Sequence, residues 1–137
     1  MINLGRMHQL GRGIKVDLQE ASRWYIRAAD AGLTGRARTH LVEAAKRGSD
    51  AAATWLHDIA NSGDPAVQRE LGLMHFSGAG TLQDFVRAHL WLNLAAALGN
   101  ANAAADRTCV EDRMSTAELQ EARNRATAWW EAYQNKR

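Results

Sequence analysis

The chain has 137 residues, a net charge of +2 and one cysteine. That length suits a single domain that buries roughly two-thirds of its unfolded surface, so neither disulfides nor metals are needed to hold it together. Cys109 has no intrachain partner, which excludes a disulfide scaffold and fits a reducing, cytoplasmic setting. The opening residues Met1-Ile2-Asn3-Leu4-Gly5-Arg6 lack the basic and apolar regions of a signal peptide. No apolar run approaches the ~20 residues of a bilayer span, and Leu90–Leu98 is interrupted by Asn93. The small net charge gives no argument for a nucleic-acid partner, although it is unevenly spread. Residues 1–50 carry nine Arg/Lys against five Asp/Glu, and the remainder eight against ten. Such polarity steers acidic groups toward the N-terminal half.

In chain order, the first unit opens on Leu4, Met7 and Leu10 at near-helical spacing. Gly11-Arg12-Gly13 breaks it, and Asp17 suits the N-cap of a second helix with Ala21, Trp24, Ala28 and Ala31 on its apolar face. Gly32 ends that helix. A shortened second unit follows: Ala52, Trp55, Ala60 and Gly63 lie 31 residues after Ala21, Trp24, Ala29 and Gly32. Its first half has lost the Gly-x-Gly loop, leaving only Gly48-Ser49. The third unit opens with clear punctuation, in which Gly63 closes one helix, Asp64 is a good N-cap and Pro65 suits the first helical position. From there residues 71–99 repeat residues 4–32 at a constant offset of 67, with twelve identities in 29 positions. The pairs include Leu4/Leu71, Gly5/Gly72, Met7/Met74, His8/His75, Trp24/Trp91 and Gly32/Gly99. A terminal helix pair completes the chain, with Ser115-Thr116-Ala117-Glu118 as a capping box and Leu119, Ala122, Ala126 and Trp129 on one face. Trp24, Trp55 and Trp91 read as core, filling the space that Gly5, Gly72 and the alanine pairs leave between close helices.

These residues resemble the Sel-1-like repeat, a relative of the tetratricopeptide repeat. The pattern appears as Leu4-Gly5-Arg6-Met7-His8-Gln9-Leu10-Gly11-Arg12-Gly13, then Asp17, Ala21, Trp24-Tyr25, Ala28-Ala29 and Gly32, and again from Leu71 to Gly99. His8 and His75 stand where the family has tyrosine, and Leu92 replaces the second aromatic of the Trp-Tyr pair. The resemblance implies an all-α fold, a right-handed α/α superhelix of antiparallel helix pairs, with a concave face used by adaptors and scaffolds. It carries no catalytic residues. The expected organisation is one domain over 1–137, with repeats at about 1–32, 33–63 (degenerate) and 64–99, then a helix pair over 100–135.

Chemical alternatives have weaker support. His8 and His75 are separated by a whole unit, some 20 Å or more given helix spacings of ~8–10 Å, and zinc ligands must lie within ~2.1 Å of one ion. The glycine loops do not follow a strand or lead into Lys-Ser/Thr, so they lack a phosphate-loop context. No serine is followed three residues later by lysine, as β-lactam chemistry usually requires. Cys109 reads as a small buried apolar residue. The sequence therefore points to a protein or peptide partner, without enzyme activity, cofactor, metal or membrane. The alternative is a nucleic acid or other acidic ligand on an N-terminal patch of Arg23, Arg27, Arg36, Arg38, Lys46 and Arg47, although no aromatic is interleaved there for base stacking. By resemblance, the first helix of each pair lines the binding face, and the candidate contacts are Arg6, His8, Gln9, Arg36, His40, Gln68, Arg69 and His75. Only Met1-Ile2-Asn3 precede Leu4, so the apolar side of Leu4, Met7 and Leu10 is expected to be covered by a homodimer through this end, the alternatives being Met1-Ile2 folded back as a minimal cap or a longer natural chain that supplies the missing turn.

Overall fold

A computed structural model of the chain describes residues 18–30, 32 and 34–136. All regular structure among these residues is helical: α1 (Leu18–Asp30), α2 (Thr34–Lys46), α3 (Asp50–Asn61), α4 (Pro65–Ser77), α5 (Phe85–Ala97), α6 (Ala101–Glu111) and α7 (Thr116–Asn135). The fold class is the all-α solenoid that the repeat predicts. None of these helices is long and apolar enough to cross a membrane. The chain divides into two compact units, the first ending at Asp58 and the second beginning at Ile59. The proposed first helix, with Leu4, Met7 and Leu10, lies outside the described residues.

In the first unit α1 packs on α2. Ala21, Tyr25 and Ala28 of α1 and Ala37, Leu41 and Ala44 of α2 are fully buried. The small residues let the backbones approach, and Tyr25 and Leu41 fill what remains. Trp55 is buried as expected, but Trp24 is only half-buried. Adjacent helical residues point about 100° apart, and here Tyr25 faces the core. Trp24 takes the Arg27 guanidinium over its ring instead, 5.1 Å from the centroid. The degenerate unit also replaces the lost loop with a tighter device. Ser49 N–H donates to Ala44 O across the Gly48 turn, and Ser49 Oγ accepts from Ala52 N at 3.2 Å, capping α3. The same hydroxyl lies 2.6 Å from Ser22 Oγ, so this buried cap also ties α1 to the α2–α3 turn.

The second unit follows its sequence punctuation closely. Asp64 accepts from Ala66 N and Val67 N ahead of Pro65, and Asp84, the counterpart of Asp17, accepts from Arg87 N. Asn100 caps α6 through Ala103 N. Ser115 and Glu118 make the reciprocal capping box of α7, at 3.1 and 3.0 Å. α5 is the hub, packed by α4, α6 and α7. Short connections between packed neighbours make successive helices antiparallel. Ala88, Leu92, Ala95, Ala103 and Val110 form a core cluster, with Phe76, Phe85 and Met114 against it. Because α5 is covered from three sides, both Trp91 and Leu92 are buried, unlike the Trp24–Tyr25 pair. Gly72 explains the close approach of α4 to α5. A Cβ there would lie 2.7 Å from Leu92 Cγ and 3.1 Å from the Ala88 carbonyl oxygen. Tyr133 uses a second glycine in the same way, seating its hydroxyl where a Cβ on Gly63 would come to 2.8 Å. Cys109 is exposed, correcting the expectation that it is buried. On α6 it neighbours Val110, which takes the core-facing position.

Candidate functional site

The candidate contacts fall into three groups. Arg6, His8 and Gln9 lie outside the described residues. Arg36 is exposed on α2, and His40, one turn later, is half-buried with its ring stacked on Tyr25 at 4.5 Å and 12°. On α4, Gln68 and His75 are buried, and Gln68 Nε2 donates to Ala60 O at 2.9 Å. Their side chains contribute packing and do not face solvent. Arg69 is turned the other way and pairs with Asp106 of α6, Nε to Oδ2 at 2.6 Å, with both side chains partly exposed. Of the described candidates, therefore, Arg36, Arg69 and in part His40 present polar groups at a surface.

The second unit also assembles a polar cleft of about 260 Å³, lined by His89 and Asn93 of α5, Arg107 and Glu111 of α6, and Arg123 of α7. Each of the first two helices supplies two residues one turn apart, so the pairs share a helix face. Arg107 Nη1 donates to Asn93 Oδ1 at 2.7 Å, tying the two faces together. His89 is buried, with Nε2 3.6 Å from Glu111 Oε2, beyond hydrogen-bond reach. Among the described residues neither ring nitrogen has a partner within 3.5 Å, and both are closed to solvent. Burial pushes the His89 pKa below its ordinary value, Glu111 opposes this in part, and Arg107 and Arg123 add to the depression. The imidazole is accordingly neutral at neutral pH. Arg123 is exposed, and neither it nor Arg107 pairs with a carboxylate among the described residues. Sequence reading missed this cleft because its residues are spread from position 89 to 123 and none except Asn93 drew attention there. The available signal was two i, i+4 polar pairs, His89/Asn93 and Arg107/Glu111.

The family model described as the Sel1 repeat matches residues 1–33 and 65–100, just over half of the chain. The chain belongs to the Sel1 repeat family. In the Sel1 repeat of residues 65–100, Leu71, Gly72, Met74, His75, Ala88, Trp91 and Ala95 are buried. A protective antigen of uropathogenic Escherichia coli strains, whose crystal structure displays an SLR fold, matches 96% of this chain at 22% identity with a TM-score of 0.59. A Sel1 repeat protein from Oxalobacter formigenes matches 77% of it at 28% identity, with a TM-score of 0.46. The matched regions span 37% and 45% of those longer chains. No curated protein matches the chain in sequence. Sel1 repeat proteins are generally protein–protein interaction modules, and the solenoid is typically a non-catalytic scaffold.

Proposed function

We propose that this chain is a protein-interaction module that docks a protein or peptide partner on the first helices of its repeats. The observation that carries this reading is the match of two Sel1 repeats to residues 1–33 and 65–100. In the second of these, the signature side chains are used in packing, so the repeat itself supplies shape and leaves recognition to the exposed positions between them. Arg69 of α4, partly exposed, is such a position, and Arg36 of α2 is exposed on the first helix of the pair between the two matched repeats. This assigns the chain a scaffold or adaptor role and no reaction of its own.

Chemical cross-linking of the native host with the full chain as bait, followed by mass spectrometry, tests the reading when run beside an Arg36→Glu variant of equal helicity. A protein recovered with the wild type and lost with the variant supports it. Recovery of the same proteins with both, or a ligand that is nuclease-sensitive and falls off steeply with salt as counterion release requires, overturns it. The second of these results would favour the basic patch of the first unit.

A further inference from the structure

We propose that the cleft between α5, α6 and α7 is a binding site for a single carboxylate group, held by Arg107 and Arg123 with His89 at its inner wall. The proposal does not depend on the partner surface argued above, because no residue is shared between them. Three observations point to an anionic ligand of one charge. First, two guanidinium groups line the cleft, and among the described residues neither has a carboxylate within ion-pair distance. Arg107 spends one nitrogen on Asn93 Oδ1, which fixes the guanidinium and leaves its other N–H groups to donate. Second, His89 is almost wholly buried at this cleft, with its ring nitrogens closed to solvent, Nε2 3.6 Å from Glu111 and burial opposing its charge, so it forms an uncharged inner wall. Third, Glu111 sets the charge the cleft will take. With a neutral imidazole, two arginines and one glutamate leave a balance of one positive charge. A monoanion completes that balance, whereas a dianion such as phosphate would leave excess negative charge beside Glu111.

The cleft holds about 260 Å³, enough for a carboxylate and the few atoms that carry it and too little for a large cofactor. The same chemistry could come from a free small acid or from an Asp or Glu side chain of a peptide. Glu111, one turn from Arg107 on the same face of α6, would accept a hydrogen bond from an N–H or O–H donor on the atoms next to that carboxylate, which favours acids bearing such a donor.

The test is nuclear magnetic resonance titration of the full chain with propionate, with lactate, and with a blocked peptide containing one glutamate, following the arginine Nε–Hε and His89 ring signals. The proposal expects saturable shifts at Arg107, Arg123 and His89 with at least one of these probes, and weaker response to inorganic phosphate. Lactate binding tighter than propionate would support the role given to Glu111. Tighter binding of the peptide would assign the source to a protein side chain, and binding of the free acids alone would assign it to a small molecule. Arg123→Gln, at an exposed position with no partner to lose, should weaken binding roughly tenfold or more, the usual effect of deleting a charge-assisted hydrogen bond. Glu111→Gln should act in the opposite direction and tighten propionate. Absence of saturable shifts with all three probes, phosphate binding above propionate, or unchanged affinity in Arg123→Gln would overturn the proposal.

Discussion

Replacing Gly72 by alanine isolates the contact that sets the spacing of α4 and α5. On an open helix surface this change stabilises by about 1 kcal/mol, because glycine is the poorer helix former. Here the new methyl would lie 2.7 Å from Leu92 Cγ, 3.0 Å from Leu92 Cδ2 and 3.1 Å from a backbone oxygen of Ala88. Leu92 is fully buried in the core cluster, and the backbone atom cannot move without shifting α5. Overpacking of this kind costs about 1–3 kcal/mol, and with two rigid obstacles the upper end applies. After the gain in helix propensity, the net loss should be about 1–2 kcal/mol. Urea melts followed by far-ultraviolet circular dichroism measure it, with unchanged m values confirming that the unfolding reaction is the same. A double-mutant cycle identifies the cause. In a Leu92→Ala background the side-chain clash is gone, so Gly72→Ala should become neutral or stabilising, with a coupling of at least ~1 kcal/mol. A single variant that is stabilised by about 1 kcal/mol would refute the reasoning, since it would mean that α4 and α5 are not packed through Gly72.

Two further outcomes follow from the same contacts. Trp91→Ala should cost about 3–5 kcal/mol, the range for deleting a core aromatic, and Trp24→Ala about half that or less because its ring is half-buried; equal losses in denaturant melts would contradict the burial difference. The His89 pKa is lowered in the fold, so the unfolded chain takes up this proton first. Its contribution to stability is complete above the ordinary value of 6.5 and is lost as pH falls through the lowered value, and His89→Asn should flatten that part of the stability–pH curve; an unchanged slope would remove His89 as its source.

The parts of this fold legible in the sequence are those decided by neighbours a few positions apart. Asp64-Pro65, Asp84 (as the counterpart of Asp17) and the Ser115–Glu118 box all act on amides within three residues, and each caps the helix it precedes. The 67-residue offset was equally visible, because two copies must solve the same packing problem with the same residues. What stayed hidden depends on which helices come together. Nothing local distinguishes Trp24 from Tyr25 as the core-facing ring, since the two are adjacent and the choice depends on what covers α1. Ser49 looked like the remnant of a lost loop, yet it caps α3 and meets Ser22 from 27 residues away. Gln68 and His75 occupy a first helix, as the resemblance asked of contact residues, but face inward on it. The cleft is the extreme case. His89, Arg107 and Arg123 are ordinary surface residues until α6 and α7 pack against α5 and enclose the imidazole.

The measurement closest to the central claim is amide hydrogen exchange of the full chain, free and saturated with a partner recovered by cross-linking. A module that docks its partner on first helices should gain protection in α2 and α4, centred on the turns carrying Arg36 and Arg69, while α5 and α7 exchange as before. Arg36→Glu should weaken the complex at an unchanged melting temperature. Arg69 is a poorer site for charge reversal, because a carboxylate there would face Asp106. Protection confined to α5 and α7, or an affinity that Arg36→Glu leaves unaltered, would contradict the account.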